Sequence, residues 1–450
     1  MSRAAVEPSS TRPTLFHIAL IVPWVALIVN AFARVNDNSF LWHIRAGELQ
    51  IDMGAVLTAD PFSFTMNGEP WLTQSWLAEV GYGWLESSSG LAFTGVMVLA
   101  LSLVTIGGIA LIAYRHSRSV PATAIVVLLS TVLLNSFLVP RPVLLSYPLF
   151  VLVVLAWDDD RMRWSLPFLF WIWASVHGSF AIGLVYLGLR VLQTREWRAI
   201  RVVLLSGVMT LFTAQGAGIV SILLSFGEAG PYLDLISEWQ TPDFLRPDLL
   251  PVLVGLSLIV YGATKGRLPS SSLWIFLPFV ALAMSAERAV ATAWVGLVPL
   301  MAMALSSMQV RWARGFKPIV AGAFCVVILL LPFVFIEPVA IDDEQFPVAA
   351  GESLDDVRTF HDDYAGGYLI WRYGPERLVY IDDRAELYQE RIKEFVDIRA
   401  GRSDWEAPFA EDGIEQALLR EGTPLIDDLE DAGWTVGYHD EEYVVLTPGS

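Results

Sequence analysis

Between the first two apolar segments of this 450-residue chain runs a polar stretch, Asn36 to Glu86, crowded with carboxylates, a histidine, an arginine and several tryptophans. Asp37, flanked by Asn36 and Asn38, stands near its start; His43 follows, and Asp60 lies beyond a turn. A carboxylate held at a membrane edge, unprotonated at working pH and close to a hydroxyl, is suited to take the proton from that hydroxyl. For Asp37 alone the bland alternative is a hydrated interfacial side chain. Its neighbours shift the weighing, because His43 and Asp60 could converge with it on one outer cavity. His43 is open to three roles: a ligand, a proton carrier, or an imidazole bonded to backbone. No metal spacing or nucleophile triad accompanies the group. The one cysteine, Cys325, falls in an apolar run, which excludes a disulfide framework and a cysteine metal site.

Further along are residues suited to anionic and sugar ligands. Arg141, between Pro140 and Pro142, and Arg288 stand beside apolar runs. Each alone can be an arginine snorkelling to an interface. Together their guanidinium forks suit a phosphate or pyrophosphate. His177 in His177-Gly178-Ser179-Phe180 sits at a break between two apolar runs, and Glu238-Trp239 pairs a carboxylate with an aromatic platform, as sugar sites often do. A tryptophan anchor beside a solvated glutamate is the alternative there. Near the end, Gly366-Gly367-Tyr368 and Asp382-Asp383-Arg384 read either as a site or as a helix start packed on a strand end.

The elements that must position these groups follow from composition. The chain is 54% hydrophobic and 17% charged, against about 25% charge in a soluble protein. Its first three quarters repeat apolar runs of roughly twenty residues, the length that crosses a bilayer core. This reads as a mainly α, polytopic membrane protein with about eleven transmembrane helices, interfacial helices in the first outer loop and a small C-terminal α/β extracytoplasmic domain. Candidate spans lie at about 14–33, 91–114, 121–139, 143–157, 164–176, 180–194, 199–215, 249–263, 271–285, 290–306 and 318–337. A cleaved signal peptide is the rival reading of the start, with Arg3 and Arg12 before the run and Ala31-Phe32-Ala33 as a cleavage-like site. That run exceeds the roughly 7–15 residues of a signal core, so we read a retained first span.

Basic residues mark alternate loops: Arg115 and Arg118; Arg161 and Arg163; Arg195, Arg198 and Arg201; Lys265 and Arg267; Arg311, Arg314 and Lys317. By the positive-inside rule these are cytoplasmic, which puts the N-terminus inside and the C-terminus outside. The opening loop (34–90), a loop at about 216–248 and the tail are then on the outer side. The net charge of −18 is a property of that tail, where roughly 28 acidic residues face about 9 basic ones from residue 338 onward. Two domains result: a membrane domain, 1–337, and an acidic soluble domain, 338–450. No basic patch exists to neutralise phosphates, so nucleic acid is excluded as a partner.

Within the opening loop, Ser39 is expected to cap a helix that Gly54 ends, Asp60-Pro61 to start a bend and Met66-Asn67-Gly68 to turn. Trp76, Leu77, Val80 and Trp84 recur at helical spacing, as in a helix lying at the lipid surface. In the tail, Leu354 to Phe360 and Gly367 to Tyr373 are expected to be helical and Leu378 to Ile381 a strand. Trp434 to Tyr438 and Tyr443 to Leu446 should form a hairpin around His439 to Glu442.

Asp37, Trp42, His43, Arg45 and Gly47, followed by Asp60-Pro61-Phe62-Ser63-Phe64-Thr65 and by Trp71 with Trp76-Leu77-Ala78-Glu79-Val80, resemble the opening loop of a bacterial group. These are multi-pass membrane proteins related to the C-superfamily (GT-C fold) glycosyltransferases. The likeness continues at Arg141-Pro142, His177, Glu238-Trp239, Arg288, Gly366 to Trp371 and Tyr380 to Tyr388. The resemblance implies a sugar donor linked to a lipid phosphate and an acidic base in the first outer loop. Carried over, Asp37 is the catalytic candidate, Asp60 a second acidic residue at the site, and His43 their companion. Trp42, Arg45, Arg141, His177, Glu238, Trp239 and Arg288 become the substrate-binding candidates. The acidic doublet familiar in that superfamily is absent, since asparagines flank Asp37.

The expected activity is transfer of a sugar from a polyprenyl-phosphate carrier to an acceptor at the outer face of the cytoplasmic membrane. Asp60 and His43 would orient acceptor or base, or bind a divalent cation if one is used. The alternative is a non-catalytic carrier-binding or envelope-assembly protein acting through its C-terminal domain. A transporter is weaker, because no paired broken spans occur in matching halves.

Overall fold

Apolar runs with no water to satisfy their backbone groups close those hydrogen bonds within helices, and the observed elements follow the hydropathy closely. The structure is a computed structural model that describes residues 19–221, 237–308, 317–330, 334 and 339–449. Arg3, Arg12 and His17, the start of the first expected span, residues 222–236 of the 216–248 loop, and Arg311 and Arg314 lie outside the described residues.

The first apolar helix is α1 (Val22–Ala31), and the polar loop after it folds into α2 (Asn38–Met53) and α3 (Trp76–Ser89). Then come α4 (Ala92–Ser117), α5 (Val120–Leu134), α6 (Val143–Trp157), α7 (Leu166–Val176), α8 (Phe180–Thr194) and α9 (Ile200–Met209). The series closes with α10 (Leu250–Thr264), α11 (Leu273–Ser285), α12 (Val290–Ala304) and α13 (Pro318–Leu330). Each apolar helix falls on one expected span. Among the described residues only α4, with 26 residues, is long and apolar enough by itself to cross a membrane; several other apolar helices have 10–17 residues. At about 1.5 Å per residue a 15-residue helix reaches roughly 22 Å, short of a core of about 30 Å. Nearly every residue of α12 is buried, and it packs against α4, α10 and α11. Outer faces stay apolar, as at Phe212 (66% exposed) and Ile319 (86% exposed), which a lipid surround satisfies and water does not.

The tail follows as α14 (Val348–Glu352), β1 (Thr359–His361), α15 (Asp363–Tyr373), α16 (Ala385–Tyr388), α17 (Glu390–Arg399), α18 (Glu406–Asp412), β2 (Gln416–Arg420), α19 (Leu425–Asp431), β3 (Trp434–His439) and β4 (Tyr443–Pro448). Its sheet has the order β1-β2-β4-β3, with β1 parallel to β2 and the other pairs antiparallel. The terminal hairpin and α15 match the sequence expectation. Three expectations are corrected. Leu354 to Phe360 is not helical: it ends in β1, whose partner β2 lies far along the chain and cannot be seen in the segment itself. Leu378 to Ile381 is not a strand of the sheet: Val379 makes an isolated bridge with Ser63 of the first loop instead. Asp37, not Ser39, caps α2. Gly54 ends that helix as expected, at φ 62°.

The tail is built onto the first loop. Val35 bonds to Ala340 and Asp342, and Val379 exchanges backbone bonds of 2.9 and 3.0 Å with Phe62 and Phe64. Two glycine contacts set the spacing. A Cβ on Gly47 would lie 1.8 Å from the Glu79 carbonyl oxygen, so α2 and α3 touch backbone to backbone. On Gly367 it would lie 2.2 Å from the Asn38 carbonyl oxygen, so α15 rests on the first turn of α2.

Candidate active site

Asp37 sits where α1 gives way to α2, and a carboxylate there accepts an otherwise unpaired N–H of the first helical turn. Its Oδ1 accepts from the Phe40 N–H at 2.9 Å. Its Oδ2 accepts from Arg141 Nε, the arginine carried by the proline-bounded turn between α5 and α6. Arg141 Nη1 donates to Glu238, which lies on the short turn Ser237–Trp239. Burial alone would lower the Arg141 pKa, but Asp37, Glu238 and Asp383 together hold the guanidinium firmly charged.

The Glu238 turn is fastened to the one that carries Arg288. Glu287 N–H donates to the Gln240 carbonyl at 3.0 Å, and Arg246 joins Asp248 to Glu287 through bonds of 2.7 Å. The Arg288 guanidinium then lies 4.5 Å from the centre of the Trp239 ring, a cation–π stack. Burial lowers its pKa, with Glu238 opposing and Arg141 reinforcing the shift. His177 ends α7 in an extended conformation, and its Nδ1 accepts from the Ser179 N–H at 3.1 Å. Burial pushes its pKa down to about 3, and the nearby Arg288 and His43 add to the effect. It is therefore a neutral imidazole.

His43 bonds through Nδ1 to Glu79 Oε1 at 2.9 Å, and the other Glu79 oxygen accepts from Gln50 Nε2 at 2.7 Å. Glu79 is fully buried. Sequence reasoning does not pair it with His43, although a carboxylate among the apolar residues that open α3 is a legible signal. The Trp42 ring lies against His43 in a tilted contact, with centroids 3.6 Å apart, and Trp42 Nε1 donates to Asp383 at 2.6 Å. Ser39 Oγ donates to the same carboxylate. Burial pushes the Asp383 carboxyl up to about 6, with Arg141 and Ser39 pulling the other way.

Asp37, His43, Arg141, His177, Glu238, Trp239 and Arg288 thus gather from five stretches of chain at one end of the helix bundle. Asp60 and Arg45 stand elsewhere. Asp60 accepts from the backbone of Phe62 and Ser63, at 3.1 and 3.0 Å, and from Arg384 Nη2 at 2.8 Å, with no side chain of this group exposed. Arg384 also donates twice to Asp382, at 2.8 and 2.6 Å, and lies 4.4 Å from the Trp71 ring centre. Asp60 therefore fixes the tail to the loop. Arg45 does the same at another point, donating to the Gly374 carbonyl at 2.6 Å and to Glu48 at 2.7 Å. Among the described residues no three His, Cys, Asp or Glu side chains form a metal-ligating group.

No family model matches the chain, and no curated protein matches it in sequence. Among solved structures, the chain is similar to ArnT from Cupriavidus metallidurans bound to undecaprenyl phosphate, at 14% identity and a TM-score of 0.50. It is likewise similar to the apo state of that protein, at 15% identity and a TM-score of 0.51. Each match covers 96% of this chain and 97% of the other. The fold of this protein, over nearly its whole length, is that of ArnT.

Proposed function

We propose that this protein is a multi-pass membrane glycosyltransferase with about eleven spans, taking its sugar from a polyprenyl-phosphate carrier at the outer face of the cytoplasmic membrane. In this reading the N-terminus is cytoplasmic and the C-terminal domain extracytoplasmic. The observation that carries it is the Asp37–Arg141–Glu238 cluster beside Arg288, at one end of a bundle with the GT-C fold. A phosphate entering there meets two guanidinium groups, which suit its charge and geometry. ArnT, with the same fold, binds undecaprenyl phosphate.

The step balances with the residues at hand. The acceptor hydroxyl gives its proton to Asp37 as its oxygen forms a bond to the anomeric carbon. The bond from that carbon to the carrier phosphate oxygen breaks, and the phosphate leaves with the electron pair, held by Arg141 and Arg288. Because Asp37 Oδ2 accepts from Arg141 without substrate, the phosphate must draw Arg141 away before that oxygen takes a proton. His43 and neutral His177 line the acceptor side, and Asp60 acts only by fixing the tail.

That both Asp37 oxygens are engaged favours a second reading, a carrier-binding protein without transfer. Asp37→Asn separates the two. On the first reading transfer from a polyprenyl-phosphate sugar falls by at least about 100-fold while carrier binding persists. Unchanged function would leave the carrier-binding reading. Arg288→Ala should weaken undecaprenyl phosphate binding roughly tenfold or more; undiminished binding would remove this arginine from the phosphate site.

A further inference from the structure

Asp383 belongs to the tail, yet among the described residues its carboxylate bonds only to the start of α2, through Ser39 Oγ and Trp42 Nε1. Asp37 caps that end of the helix, and the Trp42 ring lies tilted against His43. Asp383 also acts electrostatically on Arg141 and Asp37. The next residue, Arg384, is fully buried against Asp60 and Asp382, so the backbone on either side of Asp383 cannot drift. Gly367 brings α15 down on the Asn38 carbonyl of the same turn.

We propose that Asp383 is a positioning residue of the reaction site: the C-terminal domain, through this carboxylate, sets the turn that carries Asp37 and His43 and balances the charge of Arg141. The inference rests on the glycosyltransferase reading. It makes the tail a wall of the site, built in and not docked on demand. Removing the charge leaves Arg141 with less negative company, so an anionic phosphate gains there. The same change releases Ser39 and Trp42, and a displacement of about 1 Å at a reacting group costs on the order of 100-fold in rate.

The test uses purified full-length protein with undecaprenyl phosphate as the binding probe and a polyprenyl-phosphate sugar for turnover, comparing wild type, Asp383→Asn and Asp383→Glu. The expected result for Asp383→Asn is carrier binding at least threefold tighter, kcat at least tenfold lower and a cooperative melting transition retained. Asp383→Glu, with the charge restored, should return carrier affinity to the wild-type value. A merely structural residue would instead weaken binding and lower melting together. Binding unchanged or weakened in Asp383→Asn, beside a wild type that binds, overturns the role of Asp383 and leaves the glycosyltransferase reading standing. A wild type that binds no polyprenyl phosphate overturns both.

Discussion

Arg141 is the residue on which the site turns, because it donates at once to the helix-capping Asp37 and to Glu238. Both carboxylates compete with any phosphate that enters. Glu238→Gln should therefore tighten undecaprenyl phosphate binding, by a few-fold to tenfold as measured by titration, since an amide holds a guanidinium less strongly than a carboxylate does. Asp383 makes a second prediction. Its carboxyl is raised to about 6 from an ordinary value near 3.8. A carboxyl raised in the folded state favours folding while protonated, and that stability is lost as pH rises from the unfolded value through the folded one. The stability of Asp383→Asn relative to wild type should hence increase between about pH 4 and pH 7. Thermal melts of both proteins across that window check it, and a flat difference would contradict the assignment.

At the scale of elements, the end of the molecule that carries the candidate site depends on helices that touch backbone to backbone. The α2–α3 contact at Gly47 leaves no room for a side chain, and it is this contact that brings Glu79 to His43. Gly47→Ala should cost about 1–3 kcal/mol, the range for overpacking a close-fitted interior. It should also loosen the His43–Glu79 pair, which amide and imidazole NMR signals would report. A substitution tolerated without loss of melting temperature would mean that the helices separate cheaply. The resemblance quoted Gly47 as part of a pattern; its physical reason is the Glu79 carbonyl lying across from it.

For the whole molecule, the joint between tail and loop is a buried charge cluster. Arg384 is enclosed by Asp60, Asp382, Trp71 and Phe62. Arg384→Met removes the cation and strands two carboxylates in the interior. Breaking such a buried group from one side costs about 3–5 kcal/mol, so the variant should melt earlier and be cleaved faster by protease within both 58–71 and the tail. Cleavage confined to the tail would show that the two fold apart.

Local patterning in the sequence determined the helices, since a run of apolar residues about twenty long carries its hydrogen bonds within itself and needs no partner to be recognised. It also marked Asp37, Arg141 and Arg288 as polar groups placed beside apolar runs, and Glu238 as a carboxylate beside an aromatic platform in a loop. The tertiary structure decided which of them meet. It separated Asp60 and Arg45, which bind the tail, from the Arg141 cluster, and it brought in Glu79 and Asp383, whose partners lie 36 and 341 residues away. It also placed β1 beside β2 and Val379 beside Phe62. Pairings between distant segments depend on the shape of the whole chain, and no pattern within a single segment records them.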